Sequence, residues 1–553
     1  MKRTEVEAKA GGVLGGFMSG VLVLSLSTFA VKIIGLAYKI PMLDLLGAEG
    51  MGYFNSAYEI YALLCIIATA GLPIALSMLV SVGVERGDFL SVRRVYKGAM
   101  LLFAAIGTVG GAVMFAFADK MAAFIENPQA APCIRAIAPA LLCVCISSAV
   151  RGYFQGLGNM TPTAISQLIE AVGKLTLGVL FAALAARAGY GTADAAAFGI
   201  LGLSAGTLIS ALYLLILKLL RDRRDVRSPL ESRGAASSSD KEGGVGKLIR
   251  LAIPITLSST VLGITRIADT ALIMRRLQDI GYSAAGANVI YGSYTTLAVP
   301  IFNLLPSLIT PLALAVVPRL SAALLRERGE GAKEIVGVAL RISVLFSMPA
   351  SVAIAVYSKQ MLGLLFAGEG EAIEIAAPLL AALGASVLFS CLITTTNAIL
   401  QAYGRANVAM ISMSIGAALK IGSAYLLIGT EEVGAYGAPL STLVCNVAIT
   451  AINFYFINKC AERTLGIREL YIKPLFCSAV MIAVSFAGYL ALERFFGSER
   501  IGFIFAALIG VISYIFFSLL LGAVEREDIE ALPAGARILS VLRKLRIGNF
   551  EKT

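Results

Sequence analysis

The sequence predicts an all-α integral membrane protein of about fourteen transmembrane helices, arranged as two pseudo-symmetric six-helix lobes followed by two extra C-terminal helices. Three observations carry that prediction. Apolar residues make up 58% of the 553-residue chain and charged residues only 15%, with a mean hydropathy of +0.84, whereas an average soluble domain is about a quarter charged. Apolar stretches of about 18 or more residues recur throughout, each long enough to cross a hydrocarbon core about 30 Å thick. A set of residues in the first half returns at constant spacing in the second.

Backbone groups in lipid must be satisfied within the segment, so these stretches read as helices. The expected spans are 20–41, 56–82, 95–118, 134–152, 163–186, 195–219, 248–274, 288–317, 335–357, 375–402, 408–428, 434–457, 473–492 and 501–524. The first lacks a small-residue cleavage site followed by soluble sequence and is read as a retained helix, not a signal peptide. By these spans 27 of the 46 basic residues fall in the N-terminal tail (Lys2, Arg3, Lys9), the even-numbered loops and the C-terminal tail, against 7 in the odd-numbered loops. Basic residues are retained on the cytoplasmic side during insertion, so a multi-pass cell-membrane protein with both termini cytoplasmic is expected. The net charge of +11 then faces anionic headgroups and calls for no nucleic-acid partner.

The chain is expected to divide into an N-lobe (1–220), a linker rich in Arg, Ser, Gly and Asp (221–247), a C-lobe (248–458), the added helices (459–525) and a tail (526–553). The repeat supports two lobes. Gln155, Gly158, Asn159, Ser166 and Lys174 are followed, about 246 positions later, by Gln401, Gly404, Arg405, Ser412 and Lys420. Lys120 and Ala138-Pro139 likewise have counterparts in Lys359 and Ala377-Pro378. An even number of helices per unit makes the repeats parallel and places a cavity between the lobes. The tail alternates Leu, Ile and Val with Arg and Lys at helical spacing and is expected to lie on the inner membrane surface.

Absences narrow the function. The chain has no His and no Trp, no GxxxxGK[ST] loop for ATP, and no HExxH or paired Cys/His spacing for a metal. Its eight cysteines, Cys65, Cys133, Cys143, Cys145, Cys391, Cys445, Cys460 and Cys477, read as apolar packing residues. No cofactor is expected, and coupling to an ion or to the membrane potential stays open. The informative residues are ionisable groups inside the spans: Lys32 and Lys39, Glu59, Glu170 and Lys174, Arg266 and Asp269, and Lys420. Each would cost at least about 2.5 kcal/mol at mid-bilayer, so each is expected to face a wet cavity or a partner. Lys32 and Lys39 lie seven apart, two turns along one helix face, and form a cationic ladder. Arg266 with Asp269, and Glu170 with Lys174, have the spacing of local ion pairs. No acidic residue stands three or four positions from Lys32, and Lys39 and Glu59 lie near expected span ends, within reach of the outer interface. Cations lining a cavity suit a phosphate or pyrophosphate headgroup, Lys as a point charge and Arg as a fork. Candidate hinges are Pro300, Pro306, Pro311 and Pro318, each of which removes a helical hydrogen bond.

The stretch RGYFQGLGNMTPTAISQLIE, from Arg151 to Glu170, and YGSYTTLAVPIFNLLPSLITPLALAVVPRLSAA, from Tyr291, closely resemble the stage V sporulation protein B family of Gram-positive polysaccharide transporters. That family lies within the multidrug/oligosaccharidyl-lipid/polysaccharide flippase superfamily, which also holds the MurJ-like lipid II flippases. The resemblance implies a V-shaped pair of six-helix lobes that alternates between inward-open and outward-open states. It further implies movement of an undecaprenyl-pyrophosphate-linked sugar from the cytoplasmic to the outer leaflet. MurJ-like relatives line their cavity with basic residues of helices 1, 2 and 7 or 8, for which Lys32, Lys39 and Arg266 are the matching positions. Glu59 departs from that pattern, being acidic where a basic residue is expected. The two added helices would form a groove for the lipid tail.

Transport without catalysis, by a monomer acting on a lipid-linked sugar among membrane lipids, is the expectation that follows. A cation-coupled multidrug exporter of the same superfamily is a second reading, for which carboxylates and aromatics should dominate the cavity. A membrane glycosyltransferase or polymerase is a third, calling for paired carboxylates in a large outer loop where the loops here are short.

Overall fold

The computed structural model describes residues 2–225, 244–324, 331–460, 467–526 and 528. Most of the expected linker and nearly all of the expected amphipathic tail lie outside those residues. The described secondary structure is helical, and twelve segments are long and apolar enough to cross a membrane. One of them, Leu26–Glu85, holds the first two expected spans in a single segment. The chain is a multi-pass membrane protein.

The residues fall into two compact units, 1–278 with 282–292 and 279–281 with 293–553. The first contains α1 (Lys2–Thr69), α2 (Leu72–Glu85), α3 (Phe89–Ala116), α4 (Ala118–Phe124), α5 (Ala131–Gly156), α6 (Thr161–Arg187), α7 (Thr192–Asp225), α8 (Gly244–Asp279) and most of α9 (Ala284–Ser293). Asp88 starts α3 as an N-cap by accepting from Ser91 N–H at 2.9 Å. Small residues let backbones touch, as hydrocarbon surroundings require of tightly packed helices. A Cβ on Gly173 of α6 would stand 2.8 Å from the Gly206 Cα of α7.

α1 is 68 residues long but not straight. At Gly47 the backbone takes φ 64° and ψ 177°, outside the helical region and open to glycine without strain. The two limbs come side by side, with the Tyr38 and Phe54 ring centroids 6.1 Å apart. The expected second span then breaks at Ala70 and Gly71 before α2 begins, and α8 packs against this stretch. A side chain on Gly71 would collide with the Ala252 carbonyl, and one on Gly263 would stand 2.7 Å from Leu63. These two contacts set α8 antiparallel to the second limb of α1.

The second unit contains α10 (Val299–Leu324), α11 (Ala332–Leu365), α12 (Gly370–Ala402), α13 (Ala406–Ile428), α14 (Gly437–Cys460), α15 (Ile467–Phe496) and α16 (Glu499–Leu520). Its core joins α10, α11 and α12 through Leu320, Val336, Leu340, Val344, Leu392 and Ile399. The added pair α15 and α16 packs on α11. Tyr357 donates to Ser485 Oγ at 3.0 Å, and Tyr514 to the Leu345 carbonyl at 2.9 Å. Arg341 binds Glu525 and Asp528 at 2.9 and 3.0 Å just past α16.

The prolines expected to act as hinges stand in continuous helix α10. The departure from α geometry comes just before Pro300, as a π-helical turn over Tyr294–Ala298 closed by a bond from Val299 N–H to the Tyr294 carbonyl. A proline has no N–H to offer the carbonyl four residues earlier, and a widened turn is one way to accommodate that.

Candidate functional site

The kink at Gly47 makes the site. On a straight helix Lys39 and Glu59 would be about 30 Å apart. Folding the two limbs together brings the Glu59 carboxylate into the field of the Lys39 ammonium. Neither residue stands at a helix end, and both are half-buried. Glu59, acidic where a basic residue was expected, is thus positioned to neutralise Lys39. Lys32, two turns earlier, is exposed, and so is Arg266 on α8.

Beyond Glu59 a polar network ties α1 to the α8–α9 hairpin. Tyr291, 1% exposed, lies 3.0 Å from Thr270 Oγ1 and within the fields of Glu59 and Asp269. Asn127 donates to Ser56 Oγ at 3.0 Å and to Asn288 Oδ1 at 2.8 Å, and Asn288 donates to the Glu49 carbonyl at 2.7 Å. The Tyr53 hydroxyl sits between Glu49 and Gln129, 2.6 Å from each. Gln278 completes the network by donating to the Glu126 carbonyl, whose residue carries a positive φ of 54°.

A second cluster joins α5, α6 and α7. Glu170 binds Lys174 at 2.7 Å, as the spacing of four predicted, and also Arg151 at 2.9 Å. Arg151 further donates to Ser166 Oγ at 2.9 Å and Ser210 Oγ at 3.3 Å. All three charged side chains are 14–22% exposed. Two cations against one carboxylate leave a surplus positive charge. The ionisable residues singled out above did not include Arg151, although it lies within the expected span 134–152; only the fold reveals that it faces Glu170. Lys420, on α13 of the other unit, is half-buried.

Residues 17–324 match the family model described as "Polysaccharide biosynthesis protein", and residues 293–426 match the one described as "MatE". The chain is 25% identical over 457 residues to stage V sporulation protein B of Bacillus subtilis (strain 168), covering 82% of this chain and 86% of that protein. It is also 25% identical over 517 residues to the lipid II flippase MurJ of the same organism, covering 90% and 92%. Among solved structures, one titled "Lipid II flippase MurJ, inward closed conformation" matches with a TM-score of 0.68 at 14% identity, over 90% of this chain and 98% of that one. The resemblance read from residues 151–170 and from Tyr291 onward is borne out, and the fold is shared.

Proposed function

The chain belongs to the polysaccharide biosynthesis protein family, and on that footing we propose that it is an alternating-access flippase. It carries an undecaprenyl-pyrophosphate-linked oligosaccharide, lipid II or a related cell-wall precursor, from the cytoplasmic to the outer leaflet, without catalysing a reaction. Both termini are cytoplasmic, the lobes are 1–220 and 248–458, and the monomer is the working unit.

The observation that carries this reading is α1: within a segment long and apolar enough to cross a membrane, one lysine is exposed and a second is half-buried in the field of a carboxylate. An exposed cation in such a segment marks a wet, polar face and not a lipid-facing one. Lys32 and Arg266 are assigned to the pyrophosphate, and Lys39 to it in exchange with Glu59. Asp269, Glu170, Lys174 and Lys420 line or brace the cavity. The match of residues 293–426 to the MatE model favours one further reading, cation-coupled export of small amphipathic molecules.

The test is complementation of a strain depleted of its lipid II flippase. Lys32→Ala and Arg266→Ala should lower flipping at least about tenfold, the loss expected of a charge-assisted bond worth 1.5–3 kcal/mol. Arg266→Lys should rescue only in part, a point charge replacing a fork. Accumulation and thermal stability should be unchanged because both side chains are exposed. Normal growth with the alanine variants would overturn the assignment, and drug export without flipping would favour the second reading.

A further inference from the structure

One aromatic ring in the first unit is exposed where an interior position calls for burial. Tyr58, on the second limb of α1, is 36% exposed. Its ring stacks on Phe54, with centroids 6.5 Å apart and planes 12° apart, and meets Tyr61 at 5.9 Å and 50°. Phe54 and Tyr61 are 4% exposed and hold it in place from the core. A lipid-facing tyrosine would be surrounded by aliphatic side chains. Tyr58 instead lies within the fields of Lys174, Glu59 and Glu170. Charges at this depth gather around water and not around lipid tails, so the open part of the ring faces the wet interior.

We propose that Tyr58 is a stacking platform for a sugar ring of the substrate. The inference rests on the flippase reading above and adds to it a subsite for the glycan. A flat, rigid ring backed by a second parallel ring presents an apolar face of fixed orientation, and the C–H face of a pyranose is its complement. Lys174, Glu170 and Glu59 around the rim supply donors and acceptors for hydroxyl groups. Glu59 is next to Tyr58 in sequence and acts on Lys39 through its charge, which links the ring to the lysines assigned to the pyrophosphate.

The chain has no tryptophan, so Tyr58→Trp introduces a single indole at the position in question. In proteoliposomes, acrylamide should quench its emission and brominated phospholipid should not. A short-chain prenyl-pyrophosphoryl disaccharide should shield the indole from acrylamide, and the same prenyl pyrophosphate without sugar should not. In parallel, Tyr58→Ala should weaken retention of the disaccharide compound roughly fivefold and leave retention of the sugar-free compound unchanged, which separates a lost sugar contact from a folding defect. Tyr58→Phe should behave as wild type. Quenching by brominated lipid, or equal shielding by both compounds, overturns the assignment of Tyr58 while leaving the flippase reading intact. Retention of neither compound by the wild-type protein overturns both.

Discussion

The two halves of the chain build the same turn and fill the space behind it with different chemistry. In one, α5 is followed two residues on by Gly158 with φ +76°; in the other, α12 is followed two residues on by Gly404 with φ +71°. Each glycine N–H reaches a glutamine carbonyl, Gln155 or Gln401, at 2.9 Å. The following residue, Asn159 or Arg405, bonds the carbonyl of Phe154 or Leu400. Ser166 and Ser412 then donate to carbonyls three residues back. Behind the first turn stands the Arg151–Glu170–Lys174 ion cluster. Behind the second, about 246 positions on, Asn397 and Gly416 replace Arg151 and Glu170, and Asn453 donates to Thr396 at 3.0 Å and Asn397 at 2.8 Å. A left-handed turn admits few residues, so both copies keep glycine. A buried polar network has only to satisfy itself, and a charged solution and a neutral one both do so.

Glu170→Gln should be the most damaging change, because it leaves Arg151 and Lys174 facing each other without their shared carboxylate. A loss of about 3 kcal/mol is expected after allowing for partial exposure, read from denaturant unfolding in detergent. Adding Arg151→Asn, which copies the second half's residue, should recover a large part of it. Wild-type stability for the single variant would mean that the charged network is dispensable and the contrast superficial.

The neutral network should be less sensitive. Asn453→Leu takes a donor from Asn397 and Thr396 and an acceptor from Ser412, while Thr396 and Ser412 keep their backbone bonds, at a cost of about 1–2 kcal/mol in the same assay. A loss matching that of Glu170→Gln would erase the distinction.

The shared turn gives the sharper symmetry test. Gly158→Ala and Gly404→Ala meet no neighbouring atom, so each should cost only the left-handed conformation, about 1 kcal/mol, and the two should agree within about 0.5 kcal/mol. Unequal losses would show that one turn carries a duty the other lacks.

The smallest effect belongs to two exposed ion pairs that strap helices at neighbouring places of the two repeats: Asp119 with Arg135 at 2.5 Å, and Lys359 with Glu374 at 2.6 Å. Exchanging the first pair by Asp119→Lys with Arg135→Glu should leave the unfolding midpoint unmoved, since solvent screens such pairs.

Residues at fixed spacing on one helix were legible in the sequence. Glu170 and Lys174 are four apart, and their bond follows from helix geometry alone. The helical class and the repeated turn were legible too, because hydropathy and glycine placement are local signals. Contacts set by tertiary folding were not. Arg151 is on another helix from Glu170, and nothing in its own neighbourhood points there. Lys39 and Glu59 meet only because Gly47 bends a helix in a stretch that reads as a loop between two spans. The π-turn before Pro300 was hidden as well, since a proline signals a missing hydrogen bond but not where the backbone will absorb it.

Gly416 has a consequence for how the two halves can change over time. A Cβ there would overlap the Ile449 side chain and come within 3.2 Å of Cys445 Sγ. A glutamate codon becomes a glycine codon by one nucleotide change, and the reverse step is as short. Neither step is open on its own: the first half can shed its carboxylate without stranding two cations only once Arg151 has gone, and the second can acquire one only after Ile449 has shrunk. Each half is therefore held at its own solution by its neighbours, and descendants of a duplicated ancestor would cross from one to the other only by paired changes.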